Sequence, residues 1–341
     1  MDNQQFVLTM LRWYRDNARQ LPWRETKDPY AIWLSEVILQ QTRTEQGQPY
    51  WERMMQRWPR VELLAAASED EVLREWQGLG YYSRARNLHT AAKQVAAMGT
   101  FPQTFDTIKQ LKGVGDYTAA AVASIAFGEA VAVVDGNVYR VLSRYYGIDT
   151  PINTTQGKKE FAALAQHLIA PLSSGRGDGG EAGLYNQAMM DFGATCCMPH
   201  NPQCTRCPLQ ESCVALRKGT VSKLPVKQKT LKMKERHLSY IYIRCNGETA
   251  IHKRPPGDIW QGLWEPYCDE QHGARSEQHG ATMVKRGVRH VLTHRIITAD
   301  FYLWETNERP PLPADYIWVK EADLDHYALP RLVEKLLASL P

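Results

Sequence analysis

Four cysteines, Cys197, Cys204, Cys207 and Cys213, stand at Cys-x6-Cys-x2-Cys-x5-Cys spacing among prolines and polar residues. Four thiols in one short loop can close a tetrahedral zinc site or hold a cubane iron–sulfur cluster, and the spacing alone leaves both open. Five of the seven cysteines fall between Cys196 and Cys213, with only Cys245 and Cys268 apart, which reads as metal ligation in a reducing compartment rather than as disulfide bridges. Cys196 lies outside the regular spacing. Two carboxylates come next. Glu36 sits inside Trp33-Leu34-Ser35-Glu36-Val37-Ile38-Leu39, where a charge is costly unless paired or neutralised. If the stretch is buried, Glu36 is a proton donor at neutral pH; on the solvent face of an amphipathic helix it would be nothing of the kind. Asp135 ends the apolar run Ala130 to Val134 and precedes a helical segment, so it can cap that helix, serve as an ionised acid, or do both. In Leu111-Lys112-Gly113-Val114-Gly115-Asp116-Tyr117-Thr118 the two glycines allow a tight turn whose backbone N–H groups, with the following helix N-terminus, could meet a phosphate. A plain connection between helices fits the same residues.

These groups need a scaffold. From Gln4 to Ala170 apolar residues recur at helical spacing, as in Phe6, Met10 and Trp13, or along Ile32, Glu36 and Gln40, and this half reads as nearly all helix. Breaks fall at Leu21-Pro22-Trp23, Asp28-Pro29, Gly78 to Gly80, Phe101-Pro102, Lys112 to Gly115 and Asp135-Gly136. Ser173 to Gly183, with five glycines, is expected as a loop, and its Arg176-Gly177-Asp178 as a chance tripeptide. Arg217 to Arg236 carries eight Lys or Arg against one Glu, includes Pro225 and lacks an apolar period, so an exposed linker is expected there. Its basic residues, with Arg206, Arg217, Lys218 and Lys223 among those near the cysteine loop, could meet phosphates or simply solvate a tether. Beyond it the period changes to two: Leu238, Tyr240 and Tyr242 alternate, Asn246-Gly247 signals a turn, and Thr249 to Lys253, Ala299 to Trp304 and Tyr316 to Val319 add strands before a helix at Leu332 to Leu337.

The chain has 341 residues, 43% of them apolar, with 10 Trp, enough for two domains. Lys plus Arg exceed Asp plus Glu by 41 − 37 = +4, which permits an anionic partner without requiring one. No apolar run approaches the ~20 residues of a membrane span, and the first residues lack the basic stub and apolar core of a secretory signal, so a soluble intracellular protein is expected.

The segments Leu21 to Arg24 (LPWR), Trp33 to Thr42 (WLSEVILQQT), Gly78 to Leu88 (GLGYYSRARNL), Leu111 to Ala119 (LKGVGDYTA), Val134 to Arg144 (VDGNVYRVLSR) and the four-cysteine loop together resemble, in order, the MutY adenine DNA glycosylases of the helix-hairpin-helix superfamily. The match covers nearly all of residues 5 to 216. The resemblance implies a multidomain protein. A mostly α helix-hairpin-helix glycosylase domain spans 1–216, with the hairpin at about 107–127 and a [4Fe–4S] cluster loop at 197–213; a basic linker spans 217–236, and a small α+β Nudix-like lesion-recognition domain spans 237–341. It implies Cys197, Cys204, Cys207 and Cys213 as ligands of one [4Fe–4S] cluster, and Gly113, Val114 and Gly115 against DNA phosphate. It implies Glu36 as the acid that protonates adenine and Asp135 as stabiliser or nucleophile toward the sugar cation, flanked by Tyr117 and Asn137. Arg19, Trp23, Arg24, Leu39 and Gln187 match pocket positions, and Gln41 and Tyr81 match the positions that fill the vacated base stack, with Tyr82 a competitor for the wedge. The substrate implied is double-stranded DNA carrying adenine opposite 8-oxoguanine or guanine, handled by a monomer in the bacterial cytoplasm, at the nucleoid and away from membranes.

Tyr117 separates this reading from two alternatives. The endonuclease III branch carries a lysine there that forms a Schiff base and cleaves the strand, which a phenol cannot do. The other alternative is a cluster-bearing DNA sensor in which Glu36 or Asp135 is idle. The second domain resembles a Nudix-like module in Lys253-Arg254-Pro255-Pro256, Trp260 to Glu265 and a His290-x3-His294 loop, without the glutamate-rich metal box of a working Nudix hydrolase. Where the family has H-x-F-S-H, this chain has His290-Val291-Leu292-Thr293-His294: Thr293 retains a hydroxyl for the lesion's N7–H, His294 closes the motif, and Leu292 replaces the aromatic residue.

Overall fold

The protein is described from a computed structural model over residues 2–172, 180–228, 233–269, 280–292 and 295–341. Its chain divides into two compact units, Met1–Ala65 with Thr90–Lys229, and Ala66–His89 with Thr230–Pro341. Twelve helices precede the sheet among the described residues: α1 (Asn3–Asn17), α2 (Pro29–Ile38), α3 (Thr44–Arg57), α4 (Val61–Ala66), α5 (Glu69–Trp76), α6 (Ser83–Met98), α7 (Phe105–Ile108), α8 (Asp116–Phe127), α9 (Gly136–Tyr146), α10 (Thr155–Ile169), α11 (Gly180–Thr195) and α12 (Val214–Arg217). The breaks expected from glycine and proline fall between them. None of these helices is long and apolar enough to cross a membrane.

In the first unit α2 is the central element. Asp28 caps it by accepting from Tyr30 N, Pro29 occupies its first turn, and every residue from Tyr30 to Ile38 is buried, so Glu36 has no solvent face to occupy. The helix α11 packs on α1, α8 and α9. Close approach is possible because α8 is rich in alanine and α11 places glycines at the contacts. A Cβ at Gly183 would lie 2.7 Å from Ser124 O, and one at Gly193 would lie 2.5 Å from Asn137 Cβ. Gly180 and Gly183 are therefore helical rather than loop residues, while the Arg176-Gly177-Asp178 tripeptide lies outside the described residues.

The second unit is a six-stranded mixed sheet, β1 (Lys234–Cys245), β2 (Glu248–Lys253), β3 (Trp264–Asp269), β4 (Thr282–Val291), β5 (Arg295–Thr306) and β6 (Tyr316–Lys320), in the order β4-β5-β1-β3-β2-β6. Among the described residues β1 and β5 pair in parallel and the other pairings are antiparallel. One face buries Leu238, Tyr240, Tyr242, Ile297 and Phe301 with Leu332, Val333 and Leu336 of α13 (Arg331–Leu337). Two strands escaped the alternation rule: β3 contains Pro266, and β4 is an exposed edge strand whose apolar content is low and whose register slips between Met283 and Val288.

Packing adds two features to this organisation. Residues 66–89 pack on the sheet: Trp264 Nε1 donates to Asp70 Oδ1 at 3.3 Å, Lys253 pairs with Asp70 at 2.7 Å and Gln77 hydrogen-bonds Glu334. The basic stretch 217–236 is not a free tether. Buried Arg144 donates from Nε to Val221 O and Leu224 O (3.0 and 3.1 Å), Ile152 N donates to Val226 O at 3.0 Å, and Lys234 already begins β1. The guanidinium of Arg144 needs acceptors, and the linker backbone supplies them.

Candidate active site

Glu36, Tyr117, Asp135 and Asn137, together with Arg19, Trp23, Arg24, Leu39 and Gln187, line one cleft of about 340 Å³ in the first unit. Tyr117 Oη donates to Glu36 Oε2 at 2.7 Å, which leaves Oε1 as the oxygen free to carry a proton. Burial pushes Glu36 above its ordinary value; the Tyr117 bond and the Arg24 charge oppose that, and Asp135 adds to it. The Tyr117 phenol is itself driven well above its usual range by burial and by the neighbouring carboxylates, so it stays a donor.

Asp135 is both a cap and a cleft residue. It accepts from Asn137 N (2.9 Å), Val138 N (2.8 Å) and Asn137 Nδ2 (2.7 Å), at the positive end of α9. Burial raises its proton affinity, while these three donors and Arg140 lower it, the net direction being up. The difference between the two acids is one of donors: the Glu36 carboxyl accepts from Tyr117, the Asp135 carboxyl from Asn137 N, Val138 N and Asn137 Nδ2, and each donor favours the ionised form.

The apolar run before Asp135 is extended but forms no strand. Asn186 of α11 holds it, accepting from Val133 N at 3.0 Å and donating from Nδ2 to Val131 O at 2.9 Å and Ser124 Oγ at 2.8 Å. Gln166 does the same at Ala130 and Ala132.

The wall opposite is set by a residue the sequence reading missed. Asp191, fully buried, takes Arg24 through both guanidinium nitrogens (2.5 and 2.7 Å) and Arg19 at 2.6 Å. Burial alone would raise Asp191, but the two arginines outweigh it and hold the carboxyl below the usual carboxylate range. Beside them Tyr14 Oη donates to Gln187 Oε1 at 2.7 Å, fixing that amide so that its NH2 remains for a ligand. The signal was present: Asp191 stands in Ala188-Met189-Met190-Asp191-Phe192, an acid inside an apolar run, as Glu36 is. Removing the charge leaves two cations in the wall unpaired, so Asp191→Asn is expected to lower the unfolding free energy by about 3 kcal/mol, as for a broken buried pair. A urea midpoint unchanged from the parent would contradict that account of the wall.

The remaining expected residues lie elsewhere. Gln41 is exposed with φ +58°, and Tyr81, in the second unit, is 46% exposed with φ +46°. Tyr82 is buried and its Oη accepts from Gly78 N at 3.3 Å, so of the adjacent tyrosines Tyr81 is the one with an exposed ring. Gly113, with φ +76°, and Gly115, the N-cap of α8, form the turn between α7 and α8 with open space beside Gly115. Thr293 and His294 lie outside the described residues.

Cys197, Cys204, Cys207 and Cys213 border one cavity of about 30 Å³, with buried Cys196 beside them. Among the described residues no three His, Cys, Asp or Glu side chains converge as ligands of a single ion. The donor set still suits a thiolate-held group: four soft ligands share one cavity, and Arg144 Nη1 lies 3.4 Å from Cys197 Sγ, where a cation favours thiolate. Arg140 ties this loop to the cleft, donating from Nε to Cys197 O and from Nη2 to Asn137 Oδ1, both at 2.7 Å.

Comparison with known proteins adds to this geometry. Residues 34–171 match the HhH-GPD superfamily of base excision DNA repair proteins, and residues 239–339 match the NUDIX domain. The chain is 42% identical to the adenine DNA glycosylase of Mus musculus over 234 residues, covering 64% of this chain and 44% of that protein. It is 33% identical to the adenine DNA glycosylase of Buchnera aphidicola subsp. Schizaphis graminum over 262 residues, covering 76% of this chain and 73% of that one. The chain spans less than half the length of the mammalian relatives it matches. Among solved structures, a thermostable thymine-DNA glycosylase superposes with TM-score 0.56 at 30% identity, over 63% of this chain and 97% of that one.

Proposed function

The chain belongs to the adenine DNA glycosylase family, and from that premise we propose that it hydrolyses the N-glycosidic bond of adenine opposite 8-oxoguanine or guanine in duplex DNA, leaving the strand uncut. The observation that carries the reading is the pairing, in one cleft, of a buried glutamic acid with a single donor and an aspartate with three. Adenine must first leave the stack, at a cost of a few kcal/mol. Gln41 and Tyr81 are exposed side chains suited to fill the space. Glu36 then delivers a proton from Oε1 to N7 of adenine, so that the base departs neutral. The sugar becomes cation-like, and Asp135, held toward its ionised form by its three donors, stabilises it or adds to the anomeric carbon. Glu36, now a carboxylate, takes a proton from the water that completes hydrolysis. Arg19, Arg24, Trp23 and Leu39 shape the adenine pocket, and Gln187 offers its NH2.

Cys197, Cys204, Cys207 and Cys213 would hold one [4Fe–4S] cluster, whose contribution when bound is to tie the loop 197–213 into a fixed shape. Gly113, Val114 and Gly115 would meet DNA phosphate through backbone N–H groups.

The lyase alternative needs a nucleophilic amine in the cleft. Among the described residues no lysine lines it, and the position that would carry one is Tyr117. Incubating the full chain with an A·8-oxoguanine duplex is expected to liberate adenine while the strand stays intact until heated in alkali, with no borohydride-trapped adduct. Strand scission keeping pace with base loss, with a trapped adduct, would establish the lyase instead. Tight binding with no adenine released would establish the sensor.

A further inference from the structure

The steps above give Asp191 no task, yet the donors of two arginines converge on it. Its Oδ1 takes Arg24 Nη2 at 2.7 Å, Arg19 Nε at 2.8 Å and Arg19 Nη2 at 2.6 Å, and its Oδ2 takes Arg24 Nη1 at 2.5 Å and the backbone N of Arg19 at 3.1 Å. Arg19 and Arg24 line the cleft, and Asp191 sits behind them with a side-chain exposure of 0% against 11% for Arg24. Arg24 is fixed from other sides as well. Its Nη1 also donates to Arg19 O at 3.3 Å, and its guanidinium carbon lies 5.7 Å from the centre of the Tyr14 ring. Both terminal nitrogens of this buried fork are therefore turned to Asp191.

That orientation matters because Glu36 shares the cleft. The groups that face Glu36 are Tyr117 from α8, which donates to it, Asp135 at the start of α9 and Arg24 from the single 3₁₀ turn Pro22–Arg24. Arg19, Arg43 and, from α3, Glu45 line the same cleft. Burial raises Glu36 most; the Tyr117 bond lowers it, and the Arg24 charge lowers it next. A buried guanidinium stripped of its carboxylate is costly, and a planar fork readily takes another. The acid whose charge already acts on Arg24, after those of Asp191 and Tyr14, is Glu36. An ion pair with Arg24 would hold Glu36 ionised, and an ionised glutamate has no proton to give adenine.

We propose that Asp191 is a positioning residue for the general acid: by holding Arg24 through both terminal nitrogens it keeps that cation from pairing with Glu36, and the proton stays where adenine needs it. Asp191 acts through Arg24 and not on the base. Asparagine at this position keeps the volume but offers one oxygen, and its NH2 turns a donor toward a guanidinium that has only donors, so the fork is released. The inference rests on the glycosylase reading above, in which Glu36 is the acid.

The test is the pH dependence of single-turnover adenine release by the full chain on an A·8-oxoguanine duplex, for the parent, Asp191→Asn and Asp191→Asn/Arg24→Gln. In Asp191→Asn the fall in rate with rising pH is expected to begin about one pH unit lower, the smaller end of what an opposite charge beside a carboxyl does. The deficit against the parent should then be about tenfold above both midpoints and shrink as the pH drops below them. In Asp191→Asn/Arg24→Gln no guanidinium is left to capture Glu36, and the midpoint should return to the parental pH or above it. The infrared band of the protonated Glu36 carboxyl, followed without DNA, should move with the midpoint. A wall that is merely loosened slows release by the same factor at every pH. That result, or a carboxyl band that titrates at the parental pH in Asp191→Asn, overturns the assignment while the glycosylase reading stands. If the parent releases no adenine, that reading falls and the assignment falls with it. Should Asp191→Asn fail to fold, Asp191→Asn/Arg19→Gln, which removes one of the two stranded cations and keeps Arg24, decides instead: a lowered midpoint supports the assignment and a parental one overturns it.

Discussion

Glu36→Gln is expected to slow single-turnover adenine release by 10²- to 10⁴-fold, the usual contribution of a positioned general acid. The amide keeps the volume of the buried side chain and can still accept from Tyr117, so the fold is preserved while the transferable proton is lost. The direction of the pH dependence follows from the burial. A carboxyl raised above its ordinary value stays protonated through the range where a free glutamate ionises, so the parent's rate should hold at acid pH and fall as pH rises through the shifted value. Stability runs with it. Between the unfolded and folded values the native state binds the extra proton, so this group's contribution declines as pH rises through that window and is a net cost above it. Glu36→Gln should therefore be at least as resistant to urea as the parent at neutral pH, while nearly inactive. A variant that keeps parental rates removes Glu36 from the chemistry.

Asp135→Asn is expected to lose activity on the order of a thousandfold, comparable to removing a preorganised electrostatic partner of a transition state. Here cap and chemistry can be separated. Asparagine caps helices about as well as aspartate, and its oxygen can still accept from Asn137 N and Val138 N, so only the bond from Asn137 Nδ2 is sacrificed. Asp135→Ala removes both roles and should cost about 1 kcal/mol of stability besides. Inactive but stable Asp135→Asn assigns the carboxylate to the sugar cation. Activity retained in Asp135→Asn and lost in Asp135→Ala would make it a cap alone.

Much of the site was legible because its signals are local. A glutamate in an unbroken apolar stretch marks a carboxyl that folding will bury, and α2 buries Glu36 together with all its neighbours. Glycines at Gly113 and Gly115 mark a turn by their own backbone freedom. The pairing of Arg19 and Arg24 with Asp191 spans 172 and 167 residues, and no spacing rule reaches that far. Asn186 reads as an ordinary polar helix residue until the extended run at 131–133 is placed beside it. The strands β3 and β4 were missed because one contains a proline and the other is a solvated edge, so neither shows the alternation that burial of one face imposes. The basic stretch 217–236 misled in the opposite direction: Lys218, Lys223 and Lys227 are exposed, yet the backbone carbonyls of Val221 and Leu224 satisfy a buried arginine, and side-chain composition carries no trace of that.

The claim on which the rest depends is that burial leaves a proton on Glu36 when the protein is at neutral pH. Infrared difference spectroscopy of the parent against Glu36→Gln observes that proton directly. A protonated-carboxyl band present in the parent at pH 7 and absent from the variant, disappearing on the same pH rise that slows adenine release, is the expected result. A difference spectrum showing only an ionised carboxylate lost at pH 7 would contradict the mechanism.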